Sequence, residues 1–220
     1  MKKYIKILVV LMAVLLLPVP AAFSYEDGDF QIWHTEVQDI ALHKKAKLAF
    51  EEEFRYGDNA SELYYQHYDA GISYSLNDYL NFSINYRQVY DLVKGKFKPE
   101  YRPHMNGTIR WGVSALKFED RNRFEYRIFD DRGAFVYYRN KFTAKFPQKF
   151  GKLEFEPYIS DEIFADLAGC ALKRNRLYFG MAVNLTKNIK PEIYYLRQDS
   201  KSRSKWTAAN ILGLKLKLAF

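Results

Sequence analysis

The residues of this 220-residue chain that are best placed to do chemistry are charged side chains spaced two apart. Arg121, Arg123, Glu125 and Arg127 form the clearest run, and aromatic residues such as Phe124 stand between them. Side chains at positions i and i+2 of a β-strand point to the same face. The spacing therefore predicts a strand with one charged face, on which opposite charges can pair, and one apolar face.

Catalytic and metal-binding patterns are weak in this sequence. The histidines lack the spacing that brings two of them to one metal from a strand face, and they are His34, His43, His67 and His104. His67 and Asp69 share a face with Ser73, but about 20 Å of extended strand separates the histidine from the serine. No Gly-x-Ser-x-Gly element is present. We predict no catalytic residue, no metal and no cofactor, and an enzyme acting on lipid or lipopolysaccharide acyl chains stays open as an alternative.

The elements that must position the charged run are β-strands. Segments of strand-like pattern cover residues 30–39, 44–56, 62–75, 79–91, 104–115, 118–130, 134–146, 152–164, 174–185, 188–198 and 206–220. Most are near or above the roughly 9–11 residues that a tilted strand needs to cross a bilayer. The predicted fold is all-β, an antiparallel up-and-down transmembrane β-barrel.

The number of these segments, eleven, is odd, whereas bacterial single-chain barrels usually have an even number of strands. In residues 30–39, neither of the two sets of alternate residues is consistently apolar, so neither face of this strand is suited to lipid. We therefore predict about ten barrel strands, with this segment tucked inward or on an edge. Twelve strands is the alternative. The predicted organisation is a signal peptide at 1–24, a leader and edge or inward strand at 25–43, and the barrel at 44–220.

Both ends of the chain indicate export to the bacterial outer membrane. Residues 1–6 are basic, residues 7–17 are apolar, and Ala22 and Ser24 supply small residues for signal-peptide cleavage. The last strand carries an outward apolar stripe and resembles the closing strand of outer-membrane barrels. Its predicted signal for the barrel-assembly machinery consists of Leu216, Leu218 and Phe220.

The predicted connections differ in length. Three are tight and lie at 75–78, 115–117 and 186–188. Three others are longer and polar, and lie at 92–103, 165–174 and 198–205. We therefore predict short periplasmic turns and longer external loops. Basic stretches at 94–98 and 201–205 are expected to meet lipopolysaccharide phosphates, while the interleaving of acids and bases argues against nucleic acid as a partner.

A barrel in a bilayer must turn its charged faces inward. A lipid-facing arginine costs about 2–4 kcal/mol at the midplane, and a one-residue slip of 118–130 would expose three. We predict an interior network in which opposite signs compensate one another. Its members are Arg55, Arg121, Arg123, Glu125, Arg127, Arg139, Glu154, Glu156, Glu162 and Arg176. Outward polar residues such as Glu52, Asn140 and Asp161 are expected near a rim.

Several short segments together resemble the domain-of-unknown-function 2490 family, and they lie at residues 123–127, 138–141, 158–164, 175–180 and 194–198. This family consists of exported bacterial proteins predicted to form outer-membrane β-barrels. The resemblance covers nearly the whole chain after the signal peptide. It implies the same fold and location and carries no established activity.

The predicted function is that of an integral outer-membrane barrel, either structural or a narrow, largely occluded pore for small polar solutes. Ten or twelve strands enclose more room than the eight whose interior side chains fill, and less than the sixteen of an open channel. Besides the enzyme, a second alternative is a soluble exported lipocalin-like binding protein. That alternative requires apolar residues inside and polar residues outside.

Overall fold

The computed structural model describes residues 27–150, 153–202 and 205–220. The predicted signal peptide, with its cleavage residues Ala22 and Ser24, lies outside the described residues. Among the residues described, no helix is long and apolar enough to cross a membrane.

The described residues form twelve β-strands. The first six are β1 (Asp29–His43), β2 (Ala46–Gly57), β3 (Glu62–Ser75), β4 (Leu80–Val93), β5 (Lys96–Val113) and β6 (Leu116–Phe129). The others are β7 (Gly133–Lys145), β8 (Gln148–Phe150), β9 (Leu153–Asp166), β10 (Ala171–Asn184), β11 (Ile189–Ser202) and β12 (Lys205–Ala219). All except β8 have 12 to 18 residues, long enough to cross a bilayer at a tilt.

Eleven of these strands close into a barrel, because β12 pairs with β1. The short β8 pairs with the start of β9 in the register that β7 uses further along, so it continues β7 beyond an interruption at Pro147. Proline has no amide hydrogen to donate to a ladder, which accounts for the break. The predicted all-β, up-and-down barrel is confirmed.

The strand at the seam corrects the prediction for residues 30–39. This segment is part of β1 and lies in the wall, neither tucked inward nor on an edge, since it pairs with β2 and with β12. The barrel therefore has eleven wall strands rather than ten or twelve. When an odd number of strands alternate in direction, the first and last run the same way, and β1 and β12 are indeed parallel, from Asp29↔Ala209 to Asp39↔Ala219.

The pattern of β1 misled the sequence analysis because its faces are mixed. Trp33 and Val37 are buried on its inner face, while His34 and Glu36 point outward. Alternating polarity therefore gives no clear assignment for this strand. Its place in the wall comes from its two neighbours, which supply ladders on both edges.

The prediction of long loops at one end is wrong. The described turns between wall strands contain two to four residues at both ends of the barrel. Residues 92–103 are mostly strand, and the turn from β4 to β5 is only Lys94 and Gly95, with φ of 52° and 73°. Positive φ at both positions is typical of a tight type I′ hairpin. The two prolines that suggested a loop, Pro99 and Pro103, lie within β5.

The two faces of the wall have opposite character. Large apolar side chains such as Phe82, Ile84 and Phe124 are exposed on the outer face. The inner face holds the buried charges and a cluster around Trp33 and Ile211. This arrangement is the reverse of the one that a lipocalin-like protein requires. We call the barrel end that carries Asp29 the upper end and the end that carries Phe220 the lower end.

Outward polar residues lie at the middle of their strands, so their predicted position near a rim is wrong. Glu52 stands between the exposed Phe50 and the half-buried Phe54 on β2 and lies opposite Glu36 across the ladder. Asn140 donates a hydrogen bond of 2.5 Å to Asp120. Asn175 donates one of 2.7 Å to Asp161. Hydrogen bonding of this kind lowers the cost of a polar group on an apolar surface.

Glu52 and Glu53 provide a test of this facing with adjacent residues. Replacing Glu52 by Leu removes a carboxylate from the apolar exterior and a like charge opposite Glu36, so we expect a gain of about 1 kcal/mol in the free energy of unfolding. Replacing Glu53 by Leu removes the acceptor for Thr35 (2.9 Å) and Arg55 (2.6 Å). Leaving that arginine unpaired is expected to cost about 3–5 kcal/mol. Urea unfolding in lipid vesicles measures both changes. Equal losses of unfolding free energy in the two variants would contradict the assignment of Glu52 to the outer face and Glu53 to the inner face.

An inward glycine offers a second test. A Cβ at Gly213 would overlap the ring of Tyr194 on β11, whereas one at Gly107 would lie 3.7 Å from Phe82, an ordinary contact. We expect Gly213→Ala to displace the tyrosine and destabilise the barrel by about 1–3 kcal/mol. Gly107→Ala is the matched control and should change the unfolding free energy little. A smaller effect at Gly213 than at Gly107 would show that the ring does not need this space.

Candidate functional site in the barrel interior

The interior site is built from side chains at alternate positions of the wall strands. Its centre is Glu125 on β6, which is 0% exposed. One carboxylate oxygen lies 2.6 Å from Arg139 and 3.6 Å from Arg123, and the other lies 2.5 Å from Arg127 and 4.0 Å from Arg102. A single carboxylate thus lies within 4.0 Å of four guanidinium groups drawn from β5, β6 and β7.

A second buried carboxylate repeats this arrangement on β9. Glu162 lies 2.9 Å from Arg121, 2.7 Å from Arg139 and 3.6 Å from Arg176. It also accepts a hydrogen bond of 2.9 Å from the hydroxyl of Tyr178. Arg139 contacts both Glu125 and Glu162, so it joins the two clusters into one network.

The structure places all ten residues of the predicted network on the inner face of the wall. Seven of them surround the two central carboxylates or are those carboxylates. Arg55 pairs instead with Glu53 at 2.5 Å. Glu154 and Glu156 lie towards the lower end, where both are within 4 Å of Lys117 and where Glu156 also pairs with Lys190.

Sequence reasoning missed the part of the network on β3, β4 and β5. Arg87 lies 2.8 Å from both Asp69 and Glu51, and Arg102 lies 2.6 Å from Glu100. Glu100 and Arg102 were hidden because residues 92–103 have the composition of a loop. Asp69 and Arg87 have no charged neighbour two positions away in their strands, so no run of alternate charges marks them. His67 and Asp69 are two residues apart on β3 and therefore lie on the same face, which is the signal that points to Asp69.

The histidines have separate surroundings. His67 Nε2 lies 3.1 Å from Glu51, and His104 Nε2 lies 3.6 Å from Asp69. Both rings are buried in the interior, whereas His34 faces outward. Within the described chain, no group of three or more His, Cys, Asp or Glu side chains is arranged to hold a metal ion. Asp69 is bound to Arg87 and Asn85, so it is engaged in the charge network and not with Ser73.

Three cavities follow one another along the interior. The upper cavity has a volume of about 320 Å³, the middle one about 100 Å³ and the lower one about 190 Å³. The upper and middle cavities share Arg55, Arg87, Arg139 and Arg176 in their walls. The middle and lower cavities share Arg121, Lys141, Tyr158, Glu192 and Lys215. Charged side chains therefore form both constrictions.

Basic residues outnumber acidic ones in the walls of these three cavities, whereas an adjoining cavity at the upper end has four carboxylates against two basic residues. The upper cavity has eight arginines against two carboxylates. Its arginines are Arg55, Arg87, Arg102, Arg127, Arg132, Arg139, Arg174 and Arg176. Asp91 and Glu100 are its carboxylates. Among the described residues, Arg132 and Arg174 form no ion pair within 4.0 Å; Arg174 donates to Ser200 at 3.1 Å, and Arg132 stacks on Phe129.

The residues of the predicted assembly signal lie on the last strand and just beyond it. Leu216 and Leu218 share the outer face of β12, opposite Glu36 and Gln38 of β1. Phe220 is 68% exposed, and its backbone bonds to Asp39 and Ala41. The end of the chain is thus fixed to the seam while its aromatic ring remains free at the lower end.

A closed barrel that is apolar outside and ion-paired inside is an integral transmembrane β-barrel. The chain belongs to the DUF2490 family, proteins of unknown function, whose family model matches residues 30–209. No curated protein matches the chain significantly.

Two solved structures are similar in overall shape. A NanC porin has a TM-score of 0.48 and 10% sequence identity, covering 80% of this chain and 89% of the porin. The β domain of the Bordetella autotransporter BrkA has a TM-score of 0.43 and 9% identity, covering 77% and 82%.

Glu162 provides a test of the network. Glu162→Gln keeps the size of the side chain but removes the charge that compensates Arg121, Arg139 and Arg176, so we expect a loss of about 3–5 kcal/mol in the free energy of unfolding. Asp199→Asn is the control, since its pair with Arg197 is exposed and screened by solvent, so its loss should change the stability little. Tryptophan fluorescence during urea unfolding reports both, because Trp33 stacks on Arg176. Similar small losses would mean that the central carboxylate is not needed.

Proposed function

We propose that this protein is a narrow outer-membrane pore that admits small anions. The observation that carries the proposal is the excess of arginines over carboxylates in the upper cavity. Charge of one sign inside low-dielectric walls raises the local concentration of ions of the opposite sign. Small anions are therefore drawn in at the upper end, and cations are repelled.

The middle and lower cavities also favour anions over cations. The lower cavity has five basic residues against three acidic ones. Middle and lower cavities are joined by a constriction that includes Arg121, Lys141 and Lys215. An anion leaving the upper cavity thus meets further cations along its route.

The middle cavity limits the size of the solute. Its volume of about 100 Å³ corresponds to roughly three water molecules at about 30 Å³ each. The interior is therefore a passage for small, partly dehydrated ions and not an open water-filled channel.

The location and orientation form part of the proposal. We place the barrel in the bacterial outer membrane, after export through a signal peptide at residues 1–24, with Phe220 and the lower end in the periplasm. The upper cavity then opens to the outside. Leu216, Leu218 and Phe220 would engage the barrel-assembly machinery, and the basic residues of the upper end would face lipopolysaccharide phosphates.

Planar-bilayer recording tests the pore. In a potassium chloride gradient, the purified barrel should give a reversal potential of the sign expected for chloride permeation. The double variant Arg132→Gln and Arg174→Gln should lower the chloride-to-potassium permeability ratio severalfold, because it removes two cations without an ion-pair partner. Arg197→Gln is the control, since Arg197 pairs with Asp199 on the outer face.

Two results would contradict the proposal. A flat trace from protein shown to be folded would leave a structural barrel. A reversal potential of the opposite sign would mean that the arginines do not set the selectivity.

A further inference from the structure

We infer that the upper cavity contains a binding site for small dianions, above all a phosphate monoester. This inference rests on the proposed pore and goes beyond it, because the ligand is held in the upper cavity, above the middle cavity that limits passage to small ions. It arises from a cluster of arginines around the buried ring of Phe164, at the floor of the cavity.

Three guanidinium groups surround this ring. Their central carbons lie 4.2 Å (Arg139), 4.7 Å (Arg176) and 5.5 Å (Arg174) from the ring centroid of Phe164. Contact with an aromatic face stabilises a guanidinium group without using its N–H donors. Arg139 nevertheless donates to Glu125 and Glu162, and Arg176 donates to Gln198. Among the described residues, Arg174 uses only its Nε–H, so its terminal N–H groups remain available for hydrogen bonds.

The charge of this cluster is incompletely compensated. Glu162 lies close to Arg139 and Arg176, but the same carboxylate also pairs with Arg121. Arg174 forms no ion pair within 4.0 Å among the described residues, and its Nε–H donates to the neutral Ser200. The three cations of the cluster are thus compensated only by Glu162 and, at Arg139, by Glu125, and both of these carboxylates also pair with other arginines.

A buried donor at this point has no partner. The Nε–H of Arg139 is buried and has no hydrogen-bond acceptor, although the side chain is only 8% exposed. A buried donor without an acceptor costs about 1–3 kcal/mol. Arg139 lies in the walls of both the upper and the middle cavities, so this unpaired donor belongs to the cluster at the floor of the upper cavity.

Beside the cluster, on the neighbouring strands β6 and β5, two further arginines line the same cavity. They are Arg127 and Arg102, and both lie within 4 Å of Glu100 and Glu125. Planar guanidinium groups match the paired oxygen atoms of phosphate and carboxylate groups. Because several such groups converge on one space, a ligand with two negative charges gains more than a ligand with one.

The size of the cavity sets the class of ligand. A volume of about 320 Å³ lies at the lower limit of about 300–1,000 Å³ that small-molecule sites occupy. Such a space accommodates a phosphate group with a small organic moiety. The aromatic side chains Tyr64, Tyr137 and Phe135 in the same wall offer apolar surface for that moiety.

Three probes of similar ring size and different charge test the inference. Glucose 6-phosphate is the dianion, glucuronate the monoanion and glucose the neutral compound. Calorimetry on the full barrel in detergent should give the tightest binding for glucose 6-phosphate, by about tenfold or more over glucuronate, and no measurable binding of glucose. Equal affinities for the two anions would overturn the inference.

A variant at Arg174 locates the site. Arg174→Gln should weaken the binding of glucose 6-phosphate about tenfold or more without loss of stability, because no carboxylate is left unpaired. Arg174→Lys retains the positive charge but lacks the planar pair of guanidinium N–H donors, so it should lose part of the affinity for glucose 6-phosphate. Arg197→Gln on the outer face should bind as the native protein does. Unchanged binding in Arg174→Gln would place the anion elsewhere and overturn this assignment.

The calorimetric result separates this inference from the proposed pore. Binding of the dianion by a barrel that gives a flat current trace would support the site and contradict the pore. An anion-selective current, with no preference for the dianion in calorimetry, would support the pore and overturn the site. Inorganic phosphate in the same titration shows whether the phosphate group alone suffices.

Discussion

The pairing of several arginines with each of two buried carboxylates is the interaction on which the rest of the structure depends. Glu125 and Glu162 are almost completely buried and are connected through Arg139. Removing one member of such a group leaves charges without compensation at a cost of several kcal/mol. The wall strands are thereby held in one register, because a slip of a single residue would turn every one of these charges outward.

The same interior has two parts with different balances of charge. At the centre, carboxylates lie within short distances of the arginines and compensate them. Above the centre, arginines such as Arg132 and Arg174 line a cavity without an ion-pair partner among the described residues. The first part stabilises the barrel, and the second creates a field that favours anions. A change in the upper part can therefore alter selectivity while leaving the central pairs in place.

Alternation of polar and apolar residues was sufficient to predict the barrel and much of the interior from β6 to β10. There the charges recur on one parity over several positions, as at Arg121, Arg123 and Glu125, so local pattern and final facing agree. On β3 and β4 the inner face is lined mainly by small and polar residues, and Asp69 and Arg87 acquire their roles only through pairing across the ladder. That pairing is a property of neighbouring strands and is not written in either strand alone.

Composition also misled where the chain departs from common rules. Prolines and lysines between residues 92 and 103 are typical of a loop, yet the ladder to β4 continues through them. The ladder between β5 and β6 omits Arg102 and Pro103, which is how a residue without an amide hydrogen is accommodated in the wall. The eleventh wall strand, β1, was not recognised because both of its faces mix polar and apolar residues. Its position in the wall depends on pairing with its two neighbours.

The parallel seam has a consequence for how the barrel forms. Every other pair of neighbouring wall strands in the described structure joins consecutive segments of the chain, whereas the seam brings Asp29 beside Ala209. Contacts between distant residues form slowly, because the entropy of a long loop must be lost first. The hairpins can thus assemble in sequence as an open sheet, and closure waits until both ends of the chain are present. Truncation at either end would remove the closing contact itself and leave the remaining strands with two unpaired edges.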